Sequence, residues 1–301
     1  MKYEVVRNIG PDLLAGVTRL IDAARAHDDH NPLGEHKWLD LEAVKDGFLN
    51  VVAADGGAVV GYAHASRHAS GWGLEIVVHP DYRNDTVERE LVRRALDAVA
   101  QHGGGTVHFW VFKPGNVHDE LAGELGLRKG RDLLHVCVGL PVDYSAPLPP
   151  GVRLRPFEPE RDADAWLEVN NRAFAGHPEQ GAWDRPMLER RMREAWFDPG
   201  DFLVATDDAG IAGFNWTKLH PERKEGEIYV IGVDPDRKAS GLGKALLVAG
   251  LEHMAKKGME TCCLYVDEAN ESARSMYTKF GFDEDHRDRA YVTDVPAKHD
   301  G

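Results

Sequence analysis

Residues 230–246 read VIGVDPDRKASGLGKAL, and this stretch decides the fold of the chain. An apolar segment rich in strand formers runs into a glycine turn, and the periodic apolar residues that follow predict a helix to about residue 257. Gly241 and Gly243 let the backbone approach an anion, and a helix start points unpaired N–H groups at it. The stretch therefore predicts a phosphate-binding turn, although a plain helix cap has the same short glycine pattern.

The segment after this helix repeats the order of strand and helix. Residues 260–266, ETCCLYV, predict a strand, and Asn270 is a suitable N-cap for a second helix. Apolar residues recur in that helix at three- and four-residue spacing, which places Tyr277 on or beside its buried face. Gly281 ends the helix before another strand.

This order of parts resembles the acetyl-coenzyme A-binding half of the GNAT acetyltransferases. Their turn has the pattern Arg/Gln-x-x-Gly-x-Gly/Ala, and a later helix carries an Asn and a Tyr. Here the turn is KASGLG, residues 238–243, with a lysine that keeps a cation for the pyrophosphate. The resemblance implies an α/β fold with a mixed sheet flanked by helices, and acetyl-coenzyme A as the acetyl donor.

Composition and charge exclude several classes of protein. The 301 residues, 43% of them hydrophobic, suffice for two ordinary cores or one large one. The formal net charge of -14 argues against a nucleic-acid or anionic-membrane partner, because both reward positive surface. No apolar run reaches membrane-spanning length, and the opening MKYEVV is not a signal peptide, so we expect a cytoplasmic protein.

The cysteines and histidines predict no metal site. Cys137, Cys262 and Cys263 form neither a disulfide framework nor a metal-ligand spacing, so we expect buried thiols in a reducing compartment. The fifteen histidines show no metal spacing either.

The chain contains a diverged internal repeat around a proline-rich segment. Residues 141–151, PVDYSAPLPPG, read as a linker. Residues 78–92 run parallel to residues 233–247, which lie 155 positions later. Two tandem copies of one fold explain the pattern, as residues 1–140 and residues 152–301.

The two copies differ in their chemistry. Gly241 and Gly243 correspond to Thr86 and Glu88 in the first copy, where a carboxylate would oppose a pyrophosphate. Ala122 and Gly123 stand in the first copy where the second has Tyr277. We therefore expect the first copy to be a degenerate, non-catalytic GNAT-like domain and the second to be the catalytic domain.

Acetyl transfer to an amine needs a base for the ammonium proton and a donor for the departing thiolate. Glu227 begins the strand that feeds the glycine turn and is the candidate base, directly or through a water. Tyr277 is the candidate donor to the sulfur, and backbone N–H groups of Ile231, Gly232 and Val233 would hold the carbonyl oxygen. A solvated strand-end carboxylate and a core tyrosine are the structural alternatives for the two side chains.

Within the family, the closest resemblance is to two-domain members that acetylate the cysteine amine of a cysteinyl-glucosaminyl-inositol. The most specific pieces are residues 170–181, 214–221 and 226–235. The resemblance implies substrate contacts at Glu35, Glu179, Lys218, Glu227 and Tyr265. It implies acetyl-coenzyme A contacts at Ile231, Gly232, Val233, Lys238, Ala239, Ser240, Gly241, Leu242, Gly243, Lys244, Asn270, Glu271, Ser272, Ala273, Arg274 and Ser275.

The substrate would be a small thiol-sugar, with no nucleic acid or membrane partner, and we expect a monomer. Two other functions stay open from the sequence. One is N-acetylation of another small amine, such as an aminoglycoside or an amino acid. The other is acetyl-coenzyme A binding without turnover.

Overall fold

The computed structural model describes residues 1–28, 30–34, 37, 38, 41, 48–68, 70–83, 85–176, 180–237 and 241–298. The chain divides into two compact units. Unit 1 comprises Met1–Leu133 and Arg287–Gly301, and unit 2 comprises Leu134–His286. Each unit has a mixed sheet with helices, so the predicted fold class is confirmed.

Unit 1 orders its strands β1-β2-β3-β4-β5-β12. Neighbouring strands are antiparallel except β4 and β5, which are parallel. Its elements are β1 (Lys2–Val6), α1 (Pro11–Asp28), β2 (Phe48–Asp55), β3 (Ala58–His68), β4 (Gly71–Val78), α2 (Asp85–Gln101), β5 (Gly105–Phe112), α3 (Asn116–Glu124), the start of β6 (Arg128–Gly139) and the end of β12 (Asp283–Val295).

Helices α2 and α1 build separate cores in unit 1. Leu91 of α2 belongs to one cluster with Phe109 of β5, and Ile21 of α1 belongs to another with Tyr62 of β3. Because successive strand residues point to opposite faces, one sheet can supply both cores.

Unit 2 orders its strands β6-β11-β10-β9-β8-β7, and β10 and β11 are parallel. Its elements are the end of β6, β7 (Arg153–Pro156), α4 (Pro159–Ala173), α5 (Arg185–Met192), β8 (Phe202–Asp207), β9 (Gly210–His220), β10 (Glu225–Val233), α6 (Leu242–Lys256), β11 (Thr261–Asp267), α7 (Glu271–Lys279) and the start of β12.

Two large clusters hold unit 2 together. Leu251 of α6 and Tyr277 of α7 pack with Leu264 of β11. In the second cluster Trp166 of α4 meets Trp216 of β9 edge-on, with ring centroids 5.9 Å apart. This edge-to-face arrangement is favoured by the quadrupoles of the rings. The two clusters hold β9, β10 and β11 in place.

The units differ from the predicted domains at their borders. Residues 134–139 of β6 belong to unit 2, and the last strand ends in unit 1. Residues 141–151, all of them described, form no helix or strand and lie within unit 2. A proline-rich composition marks where regular structure stops, but it does not show which sheet the flanking strands join. The assignment of catalysis to the second copy stays a prediction.

The prediction of three free thiols was wrong. Cys137 of β6 and Cys263 of β11 form a disulfide, and the buried Cys262 is free. The bonded residues are 126 positions apart and meet because their strands are neighbours, which residue spacing alone cannot show.

Among the helices that the structure describes, none combines the length and the apolar character needed to cross a membrane.

Candidate active site

Strands β10 and β11 are paired only where they begin. Their register joins Glu225–Glu227 to Thr261–Cys263, and in the described residues it goes no further. On its other edge, β10 continues to pair with β9 as far as Val233. Residues 231–233 therefore present an edge without a strand partner in the described sheet. Such an edge can bind an extended ligand that carries amide groups.

The glycine turn opens helix α6 as predicted. Gly241 is the N-cap and has a φ of 81°, a left-handed conformation that glycine adopts without strain. A Cβ on Gly243 would meet the Val233 side chain at 3.7 Å, an ordinary contact, so close packing does not demand this glycine. Leu242 is buried and anchors the first turn. Lys238, Ala239 and Ser240 lie outside the described residues.

Helix α7 begins after the neighbouring parallel strand. Asn270 is its N-cap and accepts a hydrogen bond from the Ala273 N–H at 3.2 Å, which confirms the predicted cap. Arg274 donates to the Glu268 carbonyl at 2.9 Å. Because β10 and β11 are parallel, α6 and α7 both start at the carboxyl end of a strand. Their N-terminal parts include eight of the described residues that were predicted to contact acetyl-coenzyme A: Leu242, Gly243, Lys244, Glu271, Ser272, Ala273, Arg274 and Ser275.

Glu227 lies where β10 and β11 part. It faces Lys218 of β9 and Cys263 of β11 in the strand register. Its Oε2 is 3.6 Å from His220 Nε2, and its side chain is 26% exposed. Burial raises the pKa of Glu227, but the His220 contact and the charges of Lys218 and His220 outweigh it and hold the pKa below its usual range. The carboxylate is therefore ionised at neutral pH and able to accept a proton.

Aromatic rings position Lys218. Its Nζ lies 4.5 Å from the centre of the Trp196 ring and 5.7 Å from that of Tyr229. Such cation–π contacts stabilise an ammonium group by about 0.5–2 kcal/mol. Lys218 thus places a fixed positive charge beside Glu227.

His220 connects Glu227 to the surface. Its Nδ1 is 3.9 Å from a Glu222 carboxylate oxygen, and the Glu222 side chain is 68% exposed. From the sequence, His220 reads as an ordinary surface histidine. Its two-residue spacing from Lys218 was the available signal, since residues two apart on a strand share a face.

Tyr277 packs into the core of unit 2. Its ring lies 5.5 Å from that of Phe282, and burial, with a smaller contribution from Cys262, raises its pKa to about 12. None of the contacts described for it joins its hydroxyl to Glu227. The structural alternative of a core tyrosine therefore describes its packing, and its role as a donor stays a prediction.

Tyr265 is exposed on β11, two residues beyond Cys263. Its ring lies 4.8 Å from His135 and 6.2 Å from His286. Tyr265 and Cys263 share a strand face, and Cys263 is the register partner of Glu227. Three predicted substrate residues, Lys218, Glu227 and Tyr265, are thus set on adjacent strands. Glu35 and Glu179 lie outside the described residues.

A cluster of His135, Asp285 and His286 adjoins Tyr265 and was not predicted. One Asp285 oxygen is 3.2 Å from His135 Nδ1 and 2.6 Å from His286 Nδ1. Burial, helped by His286, lowers the pKa of His135, and the contact from His286 lowers the pKa of Asp285. The two histidines are 151 positions apart in the sequence, so no local spacing could have revealed the cluster.

Unit 1 has a corresponding opening. Strands β4 and β5 pair at Trp72–Leu74 with Val107–Phe109 and then part, and a cavity of 590 Å³ lies in unit 1, lined by residues of both strands. Its wall includes Glu88, the residue that replaces Gly243 of the second copy. The opening is kept in unit 1, but it carries an added carboxylate.

The parted parallel strands, with helices starting at their carboxyl ends, define a class of acyl-coenzyme A-dependent transferases. The model of the acetyltransferase (GNAT) family matches residues 17–122 and 163–282, one match in each copy. The chain belongs to the GNAT family and is an acetyltransferase.

Relatives that are 41–42% identical to this chain over most of its length share one name. Mycothiol acetyltransferase from Acidimicrobium ferrooxidans is 42% identical, with 97% of each chain covered. Mycothiol acetyltransferase from Thermobispora bispora is 41% identical, covering 88% of this chain and 91% of that protein.

Solved structures show the same fold at lower identity. A tandem GNAT protein from the clavulanic acid biosynthesis pathway has a TM-score of 0.72 at 16% identity, covering 99% of this chain and 100% of that one. A GCN5-related N-acetyltransferase from Sphaerobacter thermophilus has a TM-score of 0.69 at 22% identity, with 99% and 98% covered.

Proposed function

We propose that this protein is a mycothiol acetyltransferase. It transfers the acetyl group of acetyl-coenzyme A to the cysteine amine of desacetylmycothiol, a cysteinyl-glucosaminyl-inositol, and so forms mycothiol. The observation that carries this proposal is the 42% identity, over 97% of each chain, to a relative of that name. The placement of Lys218, Glu227 and Tyr265 on adjacent strands supports it.

Acetyl-coenzyme A would bind in unit 2, in the opening between β10 and β11. Backbone groups of residues 231–233 pair with the amide-bearing arm and hold the thioester carbonyl. The first turns of α6 and α7 bind the phosphates through their N–H groups, and Lys238 and Lys244 add positive charge. The overall negative charge of the chain makes these local donors necessary.

The transfer proceeds directly within a ternary complex. Glu227 removes a proton from the substrate ammonium. The ordinary pKa of that group is about 8, so a modest base is sufficient near neutral pH. The free amine attacks the thioester carbon, the oxygen gains charge beside the N–H groups of residues 231–233, and the C–S bond breaks. As the intermediate collapses, the nitrogen loses its second proton and the departing thiolate takes up a proton, so the products are the acetylated amine and coenzyme A thiol, and no metal takes part.

The proton that Glu227 accepts leaves through His220. Its Nε2 faces Glu227, and its Nδ1 faces the exposed Glu222. A partly buried base needs such a route, because it must be ionised again before the next turnover. His220 thus acts as a positioning and relay residue beside the base.

Tyr277 acts as a hydrogen-bond donor to the sulfur. With a phenol pKa of about 12, giving a proton outright to a thiolate of ordinary pKa about 8.5 is uphill by roughly 5 kcal/mol. Donating a hydrogen bond to the growing negative charge on the sulfur does not require this unfavourable proton transfer.

Unit 1 is assigned no catalysis, and Glu35 and Glu179 are assigned to the substrate's hydroxyl and ammonium groups. We propose a monomer with no nucleic-acid or membrane partner.

The test is incubation of the protein with acetyl-coenzyme A and desacetylmycothiol, with the product identified by mass. N-acetylated product is the expected result. Acetylation of an aminoglycoside or an amino acid instead would replace the acceptor but keep the transferase. Bound acetyl-coenzyme A without any acetylated amine would favour a binding module.

A further inference from the structure

We propose that His135, Asp285 and His286 form a binding site for a divalent transition-metal ion such as Zn²⁺. All three belong to unit 2, on β6 and at the start of β12. Both imidazoles direct Nδ1 at the same Asp285 oxygen, at 3.2 and 2.6 Å, and the three ligand atoms lie within 4.8 Å of one another. The proposal concerns binding and is separate from the transfer chemistry.

The donor set and its spacing suit such an ion. Two imidazoles with one carboxylate are ligands that zinc takes readily, at about 2.0–2.2 Å from each atom. Ligand atoms around one ion then lie about 3–3.5 Å apart. The His135 contact already has this spacing, and the His286 contact needs to widen by only about half an ångström, within the range of small side-chain rotations.

Burial gives the site fixed walls and one open side. The side chains of His135 and His286 are 15% and 9% exposed, and their rings stack at 4.4 Å, which limits their motion. The Asp285 side chain is 52% exposed. Water can therefore reach the ion from the side of Asp285 and complete its coordination.

Sulfur atoms lie near the same nitrogen of His135 that faces Asp285. The Cys137 sulfur is 3.7 Å from His135 Nδ1, and His135, Cys137 and Cys263 also have their ligand atoms within 4.8 Å. In the disulfide these sulfurs are weak ligands. A thiolate site would require two external thiols to reduce the bond, giving two cysteine thiols and one external disulfide. The proposal commits to the His–Asp–His set, which needs no reduction.

The site is placed to affect the acceptor. The Tyr265 ring contacts both imidazoles, so a bound ion would restrain the wall that Tyr265 forms. This consequence rests on the proposed function. Zn²⁺ is then expected to raise the KM for the acceptor and to leave the affinity for acetyl-coenzyme A unchanged.

The test is a calorimetric titration of the full, non-reduced chain with Zn²⁺, without substrates. We expect one ion per chain, binding at least about tenfold weaker in H135Q/H286Q, and weaker also in D285N, which still accepts hydrogen bonds. H253Q is the matched control, because Asp201 faces the single imidazole of His253 at 2.6 Å together with the Lys257 ammonium at 3.1 Å. Its affinity should equal that of the wild type.

Three results would overturn the site. They are no saturable binding to the wild type, equal affinity in H135Q/H286Q with a native circular dichroism spectrum, and loss of binding in C137S/C263S. Because the titration contains no acceptor, it fails or succeeds independently of the proposed function.

Discussion

Glu227 owes its ionised state to its neighbours. Lys218, ordered by two aromatic rings, and His220 offset the effect of burial and hold the pKa of Glu227 low. Glu227 can attract and deprotonate an ammonium group only while these neighbours keep its carboxylate ionised. Three predictions concern single residues.

Glu227→Gln removes the base and keeps the side-chain shape. We expect kcat to fall by about 10²- to 10⁴-fold, the usual contribution of a general base, with the affinity for acetyl-coenzyme A unchanged. Rapid-quench kinetics and a cofactor titration measure the two effects. Unchanged kcat in E227Q would remove Glu227 from the mechanism.

His220→Gln removes a partner that lowers the pKa of Glu227. That pKa should rise, so the acid limb of the pH profile of kcat/KM should move to higher pH, with a loss of rate near neutrality. H253Q, a histidine variant elsewhere in unit 2, should keep the wild-type profile. An acid limb that does not move in H220Q would contradict this effect of His220 on the pKa of Glu227, and an unchanged rate near neutrality would contradict the relay.

Asp288 of β12 makes the stability of unit 1 depend on pH. Burial, opposed by a hydrogen bond from the Lys113 backbone, raises its pKa to about 7. Its neutral form is favoured in the folded state, so its stabilising effect is full below about pH 4 and is lost as pH rises through 7. Because the pKa of Asp288 is about 7 in the folded state and 3.8 for an ordinary aspartate, the loss amounts to at most about 4 kcal/mol of the free energy of unfolding. In urea unfolding, the free energy of unfolding of D288N relative to the wild type should increase between pH 4 and pH 8. A difference between the two proteins that stays constant over this range would contradict the prediction.

At the scale of elements, the parting of β10 from β11 shapes the site more than any one side chain. It frees the edge at residues 231–233 and brings the starts of α6 and α7 to one end of unit 2. The same parting in unit 1 shows that the element survives there without the glycine that the turn of unit 2 carries. One of the differences between the copies thus lies in this turn, and its effect can be tested there.

Gly243→Glu copies the first repeat into the second. The space beside Gly243 admits a side chain, so the fold should survive, while a carboxylate facing the pyrophosphate should weaken acetyl-coenzyme A binding by at least about tenfold. G243Q, equal in size and uncharged, is the control and should bind more tightly than G243E. Equal weakening in both variants would assign the loss to size and not to charge.

At the scale of the molecule, the Cys137–Cys263 bond closes a loop of most of unit 2. Loop entropy predicts that losing the bond destabilises the chain by up to about 5 kcal/mol for 126 residues. C137S should therefore lower the melting temperature without reductant, whereas C262S, which loses a free thiol, serves as the control for removing a sulfur. Thiol titration of unfolded, non-reduced protein should find one thiol per chain, and three would contradict the bond.

Much of this molecule could be predicted from its sequence, because the decisive signals are local. The glycine turn and the Asn270 cap express short-range geometry, and the repeat is visible as a similarity between two stretches of sequence. The features that could not be predicted depend on which strands become neighbours in the sheets. Pairings between residues far apart in the chain determine the Cys137–Cys263 bond, the His135–His286 cluster and the unit that receives the last strand. No spacing rule encodes those pairings.

The last strand has a consequence for how the protein is made. Residues 288–295 pair with β5, yet they follow all of unit 2 in the chain. During synthesis from the N terminus, β5 emerges long before the strand that covers it. The edge of β5 stays unpaired, exposed to other nascent chains or to chaperones, until residues 288–295 have been made. Unit 1, whose synthesis begins before that of unit 2, is therefore completed after it.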